Sequence, residues 1–181
     1  MSKRLFSIYK TPLLLTVTLI ITLIAIKVPR EPLVFTYIIL GALLGTFLLD
    51  LDYIIYAFFL EPEADFSKTL TAFFRHGDLF NAFSYIQYHK DEIKEKTLNS
   101  IIFQVVLAGI SLYVVYSNTG FFIRSLILSA FLNSLYRLSE HYFTQTTDEW
   151  FWALKNKPSQ QKAAVVGIAL FGLFVICVSL F

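Results

Sequence analysis

Charge is scarce in this chain. Of its 181 residues only 15% are Asp, Glu, Lys or Arg, whereas soluble domains carry about 25%. Cysteine is nearly absent: Cys177 alone excludes an internal disulfide and a cysteine-based zinc cluster, and it reads as a small apolar residue in an apolar run. No HExxH, GxSxG or phosphate-loop pattern occurs, so zincin chemistry, nucleophile-elbow chemistry and nucleotide binding find no support. Basic blocks are missing too. With 15 Lys and Arg against 13 Asp and Glu the net charge is +2, and nucleic acid is not an expected partner.

What is abundant is hydrocarbon. Hydrophobic residues make up 56% of the chain and mean hydropathy is +0.64, more apolar surface than a soluble fold of this length could bury. The apolar residues gather into runs that approach the roughly 20 residues needed to cross a bilayer core. The runs predict about five membrane spans, near 11–28, 33–60, 98–116, 121–138 and 163–181. The first is preceded by basic residues, as a signal peptide would be. It is long, lacks an A-x-A-like site and leads through KVPREP directly into the next run, so it is expected to be a retained span. The short Ser117-Asn118-Thr119-Gly120 turn predicts that the third and fourth spans form a hairpin. The fold expected is an all-α polytopic membrane bundle, a single integral membrane domain over 1–181.

Two further segments are too polar to span. Phe66–Tyr88 mixes aromatics with Lys68, Arg75, His76 and Asp78, which predicts interfacial amphipathic helices broken at Gly77. The segment 146–156 opens with Thr146-x-x-Glu149, a capping-box pattern, followed by Trp150, Phe151 and Trp152, of which the paired tryptophans are expected to be interface anchors. Orientation follows from the positive-inside rule. With the N-terminus inside, the inner segments hold Lys3, Arg4, Lys10, Lys68, Arg75, Lys90, Lys94, Lys96, Arg137, Lys155, Lys157 and Lys162. Only Lys27, Arg30 and Arg124 of the 15 lie outside. The expectation is a cytoplasmic N-terminus, an external C-terminus and interfacial helices on the inner side.

Within the spans, polar residues are costly, about 2.5–3.5 kcal/mol for a charge near the centre, and call for partners. Asp50 and Asp52 interrupt the second run. Two residues apart on a helix they point about 200° from one another, so either the backbone distorts there or each carboxylate has its own partner. Asn133, Arg137, Glu140 and His141 follow the i, i+4, i+7, i+8 rule on the fourth span, and Asn99, Ser100 and Gln104 open the third. These nine residues predict one inner-leaflet polar cluster. It serves either as an internal Arg–Asp network joining helices or as a pocket for a metal or polar substrate. Gly41 and Gly45 form Gly-x-x-x-Gly on the second span, which predicts close helix packing, within the chain or in a homo-oligomer.

The stretch Leu40–Tyr53 (LGALLGTFLLDLDY) resembles the small-residue-rich helix ending in Pro-Asp-x-Asp-His of the bacterial inner-membrane metal-dependent hydrolase family. That family's His-Arg-x-x-Thr-His-Ser element would correspond to His89-Lys90 with Thr97-Leu98-Asn99-Ser100, and its later His-x-x-x-Asp to Asn133–Arg137. Leu49 stands for the proline, Tyr53 for the histidine, and Asn133 and Arg137 for the last pair. The resemblance implies a small multi-span protein of a bacterial-type plasma membrane. If activity is retained, it implies a divalent metal held by Asp50 and Asp52 with His76, His89 or His141. If not, it implies that Arg137 replaces the cation. Two functions therefore stand. One is a non-catalytic scaffold whose inner surface binds membrane lipids or a protein partner. The other is a metal-dependent hydrolase acting on a polar or phosphorylated lipid-like substrate.

Overall fold

A computed structural model describes residues 2–28, 30–89, 97–117 and 119–181, with side chains from Tyr9 onward except Gln87. Lys3, Arg4, Lys90, Lys94 and Lys96 of the charge count, and Asn118 of the expected turn, lie outside the residues or side chains described.

The regular structure among the described residues is all helical, in the order α1 (Ser2–Lys27), α2 (Pro32–Phe47), α3 (Leu51–Ile55), α4 (Asp65–Arg75), α5 (Leu79–His89), α6 (Ile101–Tyr116), α7 (Phe121–Phe143), α8 (Thr147–Trp150) and α9 (Gln160–Ser179). Four helical stretches are long and apolar enough to cross a membrane: Tyr9–Lys27, Pro32–Leu60, Phe121–Phe143 and Gln160–Ser179. They fit a multi-pass membrane protein. Between their polar ends the residues they expose are mostly hydrocarbon, among them Leu14, Ile21, Leu44 and Ile168, a surface that suits lipid and not water. The third expected span is shorter than read. Its helix begins only at Ile101 and runs 16 residues, about 24 Å at 1.5 Å per residue. Residues 97–100 bend instead of coiling, and Asp52 takes up the N–H groups of Thr97, Leu98 and Asn99.

The five long apolar helices alternate in direction. Tyr9 of α1, Asp50 after α2, Asn99 before α6 and Arg137 near the end of α7 meet at one end of the bundle. At the other end Lys27 lies over the Phe121 ring, 5.2 Å from its centroid, and Phe121 packs on Phe181 at 5.9 Å. The two ends of the chain are thus at opposite ends of the bundle.

α7 is the central helix. Its buried face includes Ser125, Leu128, Ser129, Phe131, Asn133 and Leu138, and it packs on α1, α2, α6 and α9. The closest approach is to α2, and Gly41 and Gly45 permit it. A Cβ at Gly41 would overlap the Phe122 carbonyl and Ser125 Oγ, and one at Gly45 would overlap the Leu126 carbonyl. The Gly-x-x-x-Gly face therefore packs within the chain.

The helix after α2 changes pitch. A 3-10 turn over Leu48–Asp50 leads into α3, and a π turn over Tyr56–Leu60 ends it. Beyond it, α4 and α5 form a hairpin around a small core of Tyr53, Ala57, Phe66, Leu70, Ala82 and Ile86. Gly77, at φ +71, makes the break between them, a left-handed position that suits glycine. The N–H of Asp78 bonds the Phe73 carbonyl (3.0 Å) and that of Gly77 the Phe74 carbonyl (3.1 Å), a Schellman stop. The Asp78 carboxylate then caps α5, accepting from the Asn81 N–H at 3.1 Å.

Two expectations for 146–156 are corrected. Thr146 makes no side-chain cap on α8; its hydroxyl lies 2.8 Å from His141 Nδ1 instead. Trp150 is not an interface anchor but fully buried, as is Phe151 nearly so, because α8 folds back onto α7.

Gly41→Ala and Gly45→Ala should each lower the thermal midpoint in detergent, by an amount equivalent to about 1–3 kcal/mol of overpacking. Gly109→Ala, at a position where a Cβ meets nothing within 4 Å, should leave the midpoint unchanged or raise it. Equal losses at all three positions would contradict the packing described.

Candidate polar site at one end of the bundle

The 3-10 turn sets the two aspartates on different neighbours. Asp50, 2% exposed, accepts from Arg137 Nη2 at 2.6 Å through Oδ1 and from the Tyr9 hydroxyl at 2.8 Å through Oδ2. Asp52, 3% exposed, accepts the backbone N–H groups of Thr97, Leu98 and Asn99 at 3.0, 2.9 and 2.9 Å. Asn99 joins the two halves. Its Nδ2 donates to Asp52 Oδ2 (3.0 Å) and to the Leu49 carbonyl (3.1 Å), while its Oδ1 accepts from Arg137 Nη1 at 2.6 Å. The result is one chain of charge-assisted bonds, Tyr9–Asp50–Arg137–Asn99–Asp52, tying α1, α2, α6 and α7 together.

Of the nine residues expected in one cluster, four meet directly: Asp50, Asp52, Asn99 and Arg137. Ser100 caps α6 locally, its hydroxyl donating to the Thr97 carbonyl (2.7 Å) and accepting weakly from the Phe103 N–H (3.4 Å). Gln104 turns to α8, where its Oε1 accepts from Trp150 Nε1 at 3.0 Å. Asn133 belongs to a second network deeper in the bundle. Its Nδ2 donates to the Ser129 carbonyl (2.9 Å) and Thr16 Oγ1 (3.3 Å), and Thr16 Oγ1 lies 2.7 Å from Thr46 Oγ1. Glu140 is exposed and accepts from the Tyr136 hydroxyl at 2.8 Å. His141 faces Thr146 and the Trp150 ring, 5.4 Å between centroids.

The separation has a geometric cause. Residues 133, 137, 140 and 141 share a broad face of α7, but that face meets α1 and α2 at Asn133, α2 and α6 at Arg137, and α8 at His141. A helix surrounded on several sides distributes one stripe among several neighbours.

A divalent cation does not fit these donors as arranged. Hard cations take oxygen ligands, and here both oxygens of Asp50 and both of Asp52 already accept N–H or O–H donors. The Arg137 guanidinium adds positive charge at the same place. His76 is exposed at the end of α4, His89 ends α5 with its ring 4.1 Å from that of Tyr85, and His141 is engaged at α8. Among the described residues, no group of three His, Cys, Asp or Glu is placed to hold a metal ion.

Sequence reasoning missed Tyr9, the Trp150–Gln104 bond and the Thr16–Thr46–Ser129 hydroxyls. Ser125, Ser129, Asn133 and Arg137 recur every fourth residue along α7, a signal that would have found the deeper network. Nothing comparable marks Tyr9. Comparison with family models, curated proteins and solved structures finds no match to this chain.

Trp150→Phe should lower stability by about 1–3 kcal/mol by leaving the buried Gln104 oxygen without its donor. Adding Gln104→Leu should recover part of that loss in a detergent melt. No recovery would mean that the bond contributes little and that ring packing holds α8.

Proposed function

We propose that this is a non-catalytic multi-pass membrane protein in which the Asp50–Arg137 network fastens the helices. The surface formed by α4, α5 and α8 binds membrane lipids or a protein partner. The reading sets the N-terminus in the cytoplasm of a bacterial-type cell and the C-terminus outside. The Lys and Arg bias supports this orientation, with Lys27, Arg30 and Arg124 the basic residues at the Phe121 end among those described.

The observation that carries the non-catalytic reading is the guanidinium that stands where a metal ion would have to sit. Water activation by a metal needs open coordination positions at the carboxylates and room for water. Each oxygen of Asp50 and Asp52 instead accepts at least one protein donor, and the cation beside Asp50 is a guanidinium at 2.6 Å. The likeness of Leu40–Tyr53 to the metal-dependent hydrolases is, in this reading, one of architecture, with Arg137 in the cation's place.

Substitution separates this from the hydrolase alternative. Asp50→Asn strands a largely buried guanidinium and should cost about 3 kcal/mol, and Arg137→Gln added to it should restore a substantial part. Asp52→Asn also destabilises, because it loses N–H acceptors, but Arg137→Gln should not rescue it. The thermal midpoint of the wild-type protein should be the same with a chelator and with added divalent metal. A midpoint that falls on chelation and returns with metal, with stoichiometric metal in the purified protein, would replace this reading with the hydrolase.

A further inference from the structure

The helix that carries Asp50 and Asp52 does not end at them. It continues for 29 residues, Pro32–Leu60, through the turns of changed pitch. Between Glu31 and Glu61 the charged residues of the chain are Asp50 and Asp52 alone, and both are buried, so the outward face of this stretch is uncharged over its whole length. Leu40, Leu44, Phe47 and Leu51 stand exposed on it at spacings of four, three and four. Phe58, seven residues further on, returns to the same side at 100° per residue. Phe59 beside it is 80% exposed and Leu60 52%.

The α4–α5 hairpin leaves these side chains open. Phe66 and Leu70 turn the apolar side of α4 inward onto Tyr53, Ala57, Ala82 and Ile86. Its outward side is Asp65, Lys68, Thr69, Ala72, Arg75 and His76. Phe74 meets Phe58 edge-on at 5.9 Å, yet Phe58 stays 43% exposed. Charge resumes just past Leu60, where Glu61 accepts from the Tyr56 hydroxyl at 2.9 Å and Glu63 pairs with Lys68 at 3.2 Å.

Length tells what covers the aromatic end. At 1.5 Å per residue the 29 residues span about 43 Å, and at the common tilt of about 20° they cover about 40 Å of bilayer. The hydrocarbon core takes about 30 Å, and the core with both headgroup layers about 40–45 Å. A helix bounded by Glu31 and Glu61 therefore ends within the headgroup layer, and the hydrocarbon face of α2 continues into that layer. A protein partner at the helix end would give no reason for one exposed apolar stripe to run on from Leu40 to Phe58.

We propose that Phe58, Phe59 and Leu60 are embedded among phospholipid headgroups and upper acyl carbons, in the leaflet at the Asp50 end of the bundle. They hold the α4–α5 hairpin against the membrane with the charged side of α4 turned to water. The inference rests on the reading of the α4–α5 surface as one that binds lipid or a partner, and it chooses lipid. It does not involve the Asp50–Arg137 pair.

The test uses the full chain in vesicles of phosphatidylcholine and phosphatidylglycerol, with one nitroxide at a time on Phe59→Cys, Leu44→Cys or Lys68→Cys. All three carry Cys177→Ala, which removes the single native cysteine. Power saturation compares collisions with oxygen, which concentrates in hydrocarbon, and with a nickel chelate that stays in water. The oxygen-to-nickel ratio at 59 should be about five-fold above that at 68 and below that at 44. If the Phe59→Cys chain loses its helical circular dichroism, Leu60→Cys takes its place with the same expectation. A ratio at 59 equal to that at 68, with 44 still reading lipid, would overturn the proposal. So would scarce collisions with both reagents at 59, which would give the helix end to a protein partner, or to a second copy where the spectrum is dipolar-broadened. A water-like ratio at 44 as well would remove the membrane reading beneath it.

Discussion

Arg137 cannot leave its place without stranding Asp50. Asp50 is buried and Arg137 is largely so, their side chains 2% and 20% exposed, and their contact at 2.6 Å joins the end of α2 to α7, the two helices that pack most closely. A buried ion pair is weak support for net stability, because desolvating both charges offsets much of their attraction. Its value lies in specifying a geometry. Tyr9 and Asn99 add a donor and an acceptor on either side, so one rotation or sliding of α7 against α2 would leave several groups unsatisfied together. The hydrocarbon contacts elsewhere in the bundle tolerate such sliding far better.

Depth matters as much as partner choice. Gly41 and Gly45 bring α2 against the α7 backbone, and the same approach carries Thr46 to Ser129 and Asp50 to Arg137. In lipid, helix association gains little from hydrophobicity, and close packing with interhelical hydrogen bonds takes its place. The α2–α7 contact uses both on one face, the small residues supplying proximity and the polar ones register.

The architecture was legible in the sequence because its signals are long. An apolar run of twenty residues survives any local irregularity, and so do the break at Gly77 and the need of Asp50 for a cation. Pairing was less legible. Arg137 and Asp50 were placed at one depth by counting residues, yet the other members of the expected cluster went elsewhere, since periodicity fixes a helix face and not which neighbour covers it. The Trp150 assignment failed for a related reason: a tryptophan beside a span suits the interface on composition, but the Gln104 amide offered its N–H a partner inside. The start of α6 moved to Ile101, and the N–H groups of Thr97, Leu98 and Asn99 go to the remote Asp52 carboxylate.

The distance of the two charges along the chain bears on biogenesis. Asp50 and Arg137 are 87 residues apart, so α2 leaves the ribosome about 4–17 s before its counter-ion at about 5–20 residues per second. Through that interval the nascent second segment carries an uncompensated carboxylate that the translocon must hold near the headgroups or beside water. Final seating of α2 against α7 therefore waits for the hairpin that delivers Arg137.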